Sequence, residues 1–591
     1  MISMPWAIYN RPSIQLGSLK AYVETNSEFS AHCFHPYLDI AAALGTDLYT
    51  TISDSSWAGE AVFSALLFEE KYPEAEKLFN KSLKKSAASA SDRPVFEKTV
   101  KAVEEVCNRW LAETDWSSFQ LVGVSVCFNQ LLASLYISRK ISNLAGSPPI
   151  VFGGSSCAGE LGKSLLATFP WIDFVVDGEG EASLVDLLEY LTNQTGKLPD
   201  CIYSKAPVAT SPLSQEITDL NALPTPDFDH YFKQLRITFP DSPFSPILPV
   251  EFSRGCWWNK CTFCNLNLQW HNYRAKNAEK MLSELSTLCK RFQCLDFTFC
   301  DNALPVGESK RFFDTMAQVE PDIRFFAEIR GTTSYESLLA FRKGGLDTIQ
   351  VGIESLSTSL LTRMKKGVTT IENLAIMKHA MAAGIRLEGN LIVEFPGSTE
   401  QEVAETAENI AYVLPFHPLS AAAFFLGHGS PVACNPQEFG ISAQLTHSKN
   451  KSLFPDSVLH TMTLLSSEYR GDRSKQKILW QPVRKKIEKW QEFHKLREDG
   501  QPPALRYRDG GNFIIIRQEL ADAPPLRHKL TGLSRQIYIF CSEIRTLDEI
   551  KKQFNSSKDS AILAFIDQLC QKRLMFREHS RVLSLAIRQR K

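Results

Sequence analysis

The chain has 591 residues, of which 44% are apolar and 22% charged, and its formal net charge is −1. That length exceeds one ordinary core and calls for roughly two to four domains. The near-zero charge excludes both an overall basic field that would draw nucleic acid and an acidic excess that would signal disorder.

The opening, MISMPWAIYNRPSIQLG, lacks the cationic and then apolar layout of a secretory signal. No apolar run reaches the roughly 18–20 residues of a membrane span. The expectation is a cytoplasmic protein with neither a membrane nor a nucleic-acid partner.

Three short apolar runs mark the first region: LVGVSV (121–126), PIVFGG (149–154) and FVVDGEGEAS (174–183). A helical stretch follows each, so a parallel sheet with helices on both faces is expected over residues 1–215. Residues 28–115 read as a helical insertion within it. KAPVATSPLSQEITDLNALPTPDFDHYF (205–232) breaks the alternation, and 216–246 is expected as a linker. From 247 to 435 six further strands alternate with helices: LPVEFS, LDFTF, RFFAEI, DTIQV, RLEGNLIV and AAAFFLG. That pattern predicts a partial (β/α)6 barrel. The last region, 436–591, opens with the charged helical stretch ILWQPVRKKIEKWQEFHKLRED (478–499), read as a solvated helix face. It ends as helix, helix and strand pair, the order of an α+β winged-helix-like module. The fold class is α/β, with a Rossmann-like first domain.

The chain has 14 cysteines. Without a secretory signal they are expected as thiols and metal ligands, not as a disulfide framework. Singles such as Cys127 and Cys541 sit in apolar stretches and read as core residues. Arg254-Gly255-Cys256-Trp257-Trp258-Asn259-Lys260-Cys261-Thr262-Phe263-Cys264 is different, because three thiols follow the first barrel strand closely. Thiolates suit iron–sulfur clusters and zinc. Three ligands on a four-iron cluster leave one iron open to a substrate or cofactor. A structural zinc would want a fourth ligand, for which His271 is nearest, and the spacing alone leaves that reading open.

GCWW, the Cys-x4-Cys-x2-Cys spacing and the downstream stretches FFAEIRG, GIESLSTSLLTRMKKG and EGNLIVEFPG together resemble the cobalamin-binding radical SAM superfamily. The similarity is closest to radical SAM proteins that mature ribosomally synthesised peptides. The usual spacing is Cys-x3-Cys-x2-Cys, one residue shorter than here. The resemblance implies a [4Fe-4S] cluster on Cys256, Cys261 and Cys264, and S-adenosyl-L-methionine (SAM) on its open iron. It further implies SAM contacts from Glu328, Arg330, Gly352, Glu354, Ser355, Asn390 and Phe263, most of them at strand ends. Asp301 and Asn302 face the site or form a turn. Cys294 and Cys300 are read as core residues ahead of an auxiliary cluster.

The glycine-ended strands of the first region resemble a cobalamin-binding domain. Ser125, Asn129, Gln130, Gly153, Gly154, Gly178 and Glu179 are the implied cobalamin residues. No Asp-x-His-x-x-Gly motif occurs, so the lower axial position is expected to lack a histidine. The activity implied is C-methylation of an unactivated carbon of a precursor peptide. A low-potential donor such as flavodoxin or ferredoxin would supply the electron, and the C-terminal region would hold the leader by strand addition. Epimerisation, cross-linking or rearrangement without methyl transfer is the alternative chemistry. A zinc-stapled peptide-binding adaptor is the alternative of another class. A methylthiotransferase fits less well, because no second cysteine triad lies in the first region.

Overall fold

The computed structural model describes residues 1–55, 57–83, 95–193, 198–205, 216–241, 244–319, 322–497, 500–555 and 558–589. The first domain holds a sheet of β1 (Ile2–Ser3), β2 (Val122–Ser125), β3 (Ile150–Gly153), β4 (Phe174–Val176) and β5 (Ile202–Ser204), in that spatial order. The first four strands are parallel and β5 is antiparallel. β1 and β5 are too short to register as a sequence period.

The sheet buries both faces, as a β strand does when its side chains alternate between two layers of helix. Ile150, Phe152 and Val175 join the main core with Leu132 and Leu135 of the helix Leu131–Ser142. Val151 and Val176 join a second core with Val23 of the helix Ile14–Asn26 and Leu187 of the helix Gly180–Asn193. Between β1 and β2 lies the expected helical insertion, including Ala58–Leu67.

The expected linker corrects to packed structure. Residues 206–215 of that stretch lie outside the described residues. Downstream, the helix Asp229–Thr238 is wedged between the two domains. Tyr231 is fully buried and its hydroxyl donates to the Tyr9 carbonyl at 2.9 Å. Phe232 stacks on Phe292 of the barrel at 4.6 Å. The aromatics of DFDHYF make this segment an anchor, because a ring that size gains more from burial than a spacer could forgo.

The barrel strands are β6 (Leu248–Val250), then β9 (Asp296–Phe299), β10 (Arg324–Ile329), β11 (Leu346–Val351), β12 (Arg386–Glu388), β13 (Asn390–Val393) and β14 (Ser420–Ala423). A two-stranded antiparallel ribbon, β7 (Ser253–Arg254) with β8 (Arg274–Ala275), interrupts the series after β6. All neighbouring barrel strands pair in parallel. The fifth unit divides at Gly389. A Cβ there would lie 2.5 Å from the Val351 carbonyl oxygen, so only glycine lets β12 leave β11 and hand over to β13. A bridge between Glu354 and Leu391 closes the gap.

After the barrel, β15 (Leu426–Gly427) and β16 (Ala443–Thr446) flank β17 (Ser466–Arg470) in a small antiparallel sheet. The helix Gln481–Lys495 buries Val483, Ile487 and Trp490 and leaves its basic side to solvent, as expected. The end of the chain carries β18 (Leu505–Asp509), β19 (Phe513–Gln518), β20 (Leu526–Thr531), β21 (Arg545–Thr546), β22 (Met575–Glu578), β23 (Arg581–Ser584) and β24 (Ile587–Arg588). Helices Gly532–Phe540, Leu547–Gln553 and Asp559–Gln571 intervene, and β21, β23 and β22 form the wing sheet. Among the described residues no helix is long and apolar enough to cross a membrane.

Candidate cofactor sites

The ribbon β7–β8 closes a loop that carries all three clustered cysteines. Gly255 starts it at φ +82, a conformation that favours glycine. The base is clamped by Asp301, which is 2% exposed, accepts from the Phe252 N–H at 3.1 Å and pairs with the Ser253 hydroxyl at 2.5 Å. Burial pushes its carboxyl up to about 7. Asp301 is thus a bracket for the loop.

The body of the loop is held from the barrel. Thr262 N–H donates to Met364 O at 3.0 Å, Val432 N–H to Thr262 O at 2.9 Å, and Trp258 Nε1 to Lys365 O at 2.8 Å. The Arg330 guanidinium lies over the rings of Trp258 and Trp257, at 4.5 and 5.0 Å, and donates to Lys366 O at 2.6 Å. Arg330 therefore supports the cluster loop. Gly367 is pressed under Trp258, with φ +73 and a hypothetical Cβ 2.1 Å from the indole. Gly367→Ala is expected to displace Trp258 and cost about 1–3 kcal/mol, read by calorimetry of the protein without cofactors.

Cys256, Cys261 and Cys264 are all partly exposed on this loop. Burial and then the neighbouring thiols push Cys264 up to about 11, its backbone contact opposing. Among the described residues no three His, Cys, Asp or Glu side chains converge on one ion. His271 is exposed, and its N–H is taken by Glu216 at 2.6 Å. A mononuclear zinc needs four ligands converging on one point, with Zn–S bonds of about 2.3 Å. A four-iron cluster takes one thiolate on each of three irons, a donor set that Cys256, Cys261 and Cys264 supply.

The expected SAM residues lie at the ends of β10 and β11 and at the start of β13. Glu328 is partly buried, makes no side-chain hydrogen bond among the described residues, and is pushed up to about 7. Desolvation is the main cause, the Lys366 charge opposes it, and Glu354 adds to it. Glu354 sits at φ +60, pairs with Lys366 at 3.1 Å and bridges two strands, donating to Asn390 O at 3.0 Å and accepting from Ile392 N–H at 2.8 Å. A Cβ on Gly352 would meet Lys366 Nζ at 2.3 Å and Glu354 Oε1 at 2.6 Å, so that glycine makes room for the pair. Asn390 is exposed, and Phe263 lies 5.9 Å beneath Lys366. Ser355 is a correction. It is fully buried and its hydroxyl accepts from Ser357 N–H at 3.0 Å, which leaves it a turn residue.

A cavity of about 320 Å³ lies between the two domains. Ser125, Gly153, Gly154 and Gly178 line it at the ends of parallel strands, where an open α/β sheet places its ligands. Gly154 has φ +104, and a Cβ would sit 2.7 Å from Val126 O. Barrel residues Glu251, Arg254, Cys300 and Asn302 form the opposite wall. No histidine is among its lining residues.

Two of the expected ligands have their side chains bound by the protein itself, and a third lines a neighbouring pocket. Gln130 is 5% exposed and ties the β2 loop to the first strand, donating to Met4 O and to Ser3 Oγ while accepting from Cys127 N–H at 3.2 Å. Asn129 lines a separate pocket beside Trp57 and Phe128. Glu179 reaches the cavity wall, but its carboxylate is committed to Arg254 at 3.2 Å, to Arg274 at 2.7 Å and to Ile217 N–H at 2.7 Å. Cys294 is buried below β9, whereas Cys300, above it, opens into the cavity. Opposite ends of one strand cannot share an auxiliary cluster. Of the cavity's barrel wall, Asn302 was among the expected site residues, but Arg254 was not, because its partners Glu179 and Glu181 lie far away in the chain.

Residues 250–410 match the radical SAM superfamily model and form a radical SAM domain, whose cofactors are a [4Fe-4S] cluster and SAM. Over 294 residues, 48% of this chain, the sequence is 27% identical to an uncharacterized methyltransferase of Pyrococcus horikoshii. That match spans 62% of the relative's length, less than two thirds. The cobalamin-dependent S-adenosylmethionine radical enzyme OxsB, solved with aqua-cobalamin and S-adenosylmethionine, aligns with TM-score 0.57 and 15% identity over 84% of this chain and 68% of its own. The radical S-adenosylmethionine methyltransferase TsrM of Kitasatospora setae, solved with tryptophan and a SAM analogue, aligns with TM-score 0.53 and 14% identity over 85% of this chain and 91% of its own. At such identities the likeness establishes the fold.

Proposed function

We propose that the protein is a cobalamin-dependent radical SAM enzyme that methylates an unactivated carbon of a ribosomally synthesised peptide. One observation carries this reading: the cavity at the glycine-ended strands is walled on its far side by residues flanking the cysteine loop. Two cofactor sites thereby face one seam. When bound, the cluster with SAM supplies a hydrogen-abstracting radical and cobalamin supplies the methyl group.

The chain's own residues do the rest. Glu328 offers an unsatisfied carboxylate to the SAM ammonium, and Lys366 a cation to its carboxylate. Arg330 and the two tryptophans shield the loop from water. The lining of the cavity supports cobalamin. Besides its charged wall it has apolar residues from the sheet and from two helices, Leu16, Leu19, Gly123, Val151 and Leu184. A flat aromatic nucleotide base would suit such an apolar surface.

The peptide substrate rests on the resemblance in GCWW and the spacing, and on the edge strand β20. Among the described residues that strand pairs with β19 alone, and its Arg527 and Lys529 are exposed. An acidic extended leader is the complementary partner for a free, cationic strand edge. A low-potential donor such as flavodoxin or ferredoxin would feed the cluster.

The test is anaerobic reconstitution with iron, sulfide and hydroxocobalamin, followed by SAM, a reductant and the co-encoded precursor peptide. The peptide is expected to gain the mass of one or more methylene units. A product of unchanged mass, with 5′-deoxyadenosine released, would refute methyl transfer and leave epimerisation or rearrangement.

A further inference from the structure

The ribbon at the base of the cysteine loop contains an unfavourable pairing. Arg254 and Arg274 stand directly opposite each other across β7 and β8. Like charges so placed destabilise a two-stranded ribbon. Four carboxylates offset the repulsion. Arg254 pairs with Glu179 at 3.2 Å, Glu181 at 2.5 Å and Glu251 at 3.0 Å. Arg274 pairs with Glu179 at 2.7 Å and Glu216 at 3.3 Å. The side chains of Arg254, Glu179 and Glu181 are 6%, 3% and 6% exposed, so salt and water screen them little.

Two features make this more than a structural tie. Glu179 and Glu181 belong to the first domain, at the end of β4 and the start of its following helix, whereas Arg254 lies two residues before Cys256. Glu179, Glu181, Glu251 and Arg254 are also part of the cavity wall. The network therefore joins the wall of one site to the base of the other.

We propose that Arg254 is a positioning residue that couples the two sites, so that cobalamin and the iron–sulfur cluster each bind more tightly when the other is present. This rests on the cofactor reading above. The physical route is short. A corrin's peripheral amides are hydrogen-bond donors that match carboxylates on the cavity wall. Fixing Glu179 and Glu181 fixes Arg254, and with it the ribbon that sets where Cys256 stands. Reciprocity follows from linkage: whatever the loop does for the cavity, the cavity does for the loop.

The experiment uses the full chain before and after cluster reconstitution, titrated with hydroxocobalamin and followed by visible absorbance. The dissociation constant is expected to tighten about fivefold or more on cluster loading, the lower end of ordinary coupling. In Arg254→Gln that ratio falls toward one, and Arg254→Lys recovers part of it, because an ammonium restores the charge without the guanidinium fork. Glu179→Gln, nearly isosteric, lowers the ratio from the other domain and serves if Arg254→Gln does not fold. Equal affinity with and without cluster in the parent overturns the coupling and leaves the cofactor reading standing, as does a full ratio retained in both variants. No binding of hydroxocobalamin in either state overturns both.

Discussion

Replacing Cys256, Cys261 and Cys264 together with alanine is expected to abolish iron binding and 5′-deoxyadenosine formation, to the assay background, while the fold survives. The reason lies in what holds the loop. Its anchors are the Thr262 and Trp258 bonds to the segment after β11, the Val432 bond back to Thr262, and the stack of Arg330 on two indoles. None of these uses a thiol. The three cysteines are partly exposed, so truncating each loses little buried area. Iron and labile-sulfide assays, circular dichroism and chromatography of the SAM cleavage products check the outcome. Retained 5′-deoxyadenosine would place the cluster elsewhere.

The cysteine loop was legible because its ligands lie close together in the chain. The glycines before the cofactor cavity were legible for a similar reason: Gly154 must take a positive φ beneath the Val126 carbonyl, and the sequence marks it by GG at the end of an apolar run. Partnership across the chain was not legible. Glu179 lines the cavity, as its place after a glycine at a strand end suggested, but its bonds to arginines of the barrel could not be foreseen. Arg254 and Glu181 are separated by 73 positions, and no local pattern announces such a pair. Gln130 and Ser355 misled, each being a polar residue beside a strand end whose hydrogen bonds turn inward. Strand count failed where a strand is too short to show alternation, as at Ile2–Ser3, and where a glycine divides one run into two, as at Gly389; it also missed the antiparallel strands after the barrel, among them Leu505–Asp509, Phe513–Gln518 and Leu526–Thr531.

The second large effect concerns the carboxylate that SAM would meet. Glu328 is lifted from its ordinary 4.5 to about 7, foremost by desolvation, with Lys366 opposing and Glu354 adding. A group so lifted binds its proton more tightly in the folded chain than in the unfolded one. Its contribution to stability is therefore full below about pH 4.5 and is lost as pH rises through 7. At pH 8 the cofactor-free protein holds a poorly solvated anion there, and Glu328→Gln is expected to raise its melting temperature. SAM binding has the opposite sign. The ammonium needs the ionised carboxylate, so affinity should weaken about tenfold for each pH unit below 7 and level off above it. Glu328→Gln should flatten that profile and weaken binding at pH 8 by about tenfold or more, the loss of a charge-assisted bond of roughly 1.5–3 kcal/mol. Equilibrium dialysis of SAM against pH, beside melting curves of the same two proteins, measures both signs. A parent profile without an inflection near 7 would remove Glu328 from the ammonium site. A substitution that stabilises the empty protein and cripples the loaded one would identify Glu328 as a residue kept for binding at a cost to the fold.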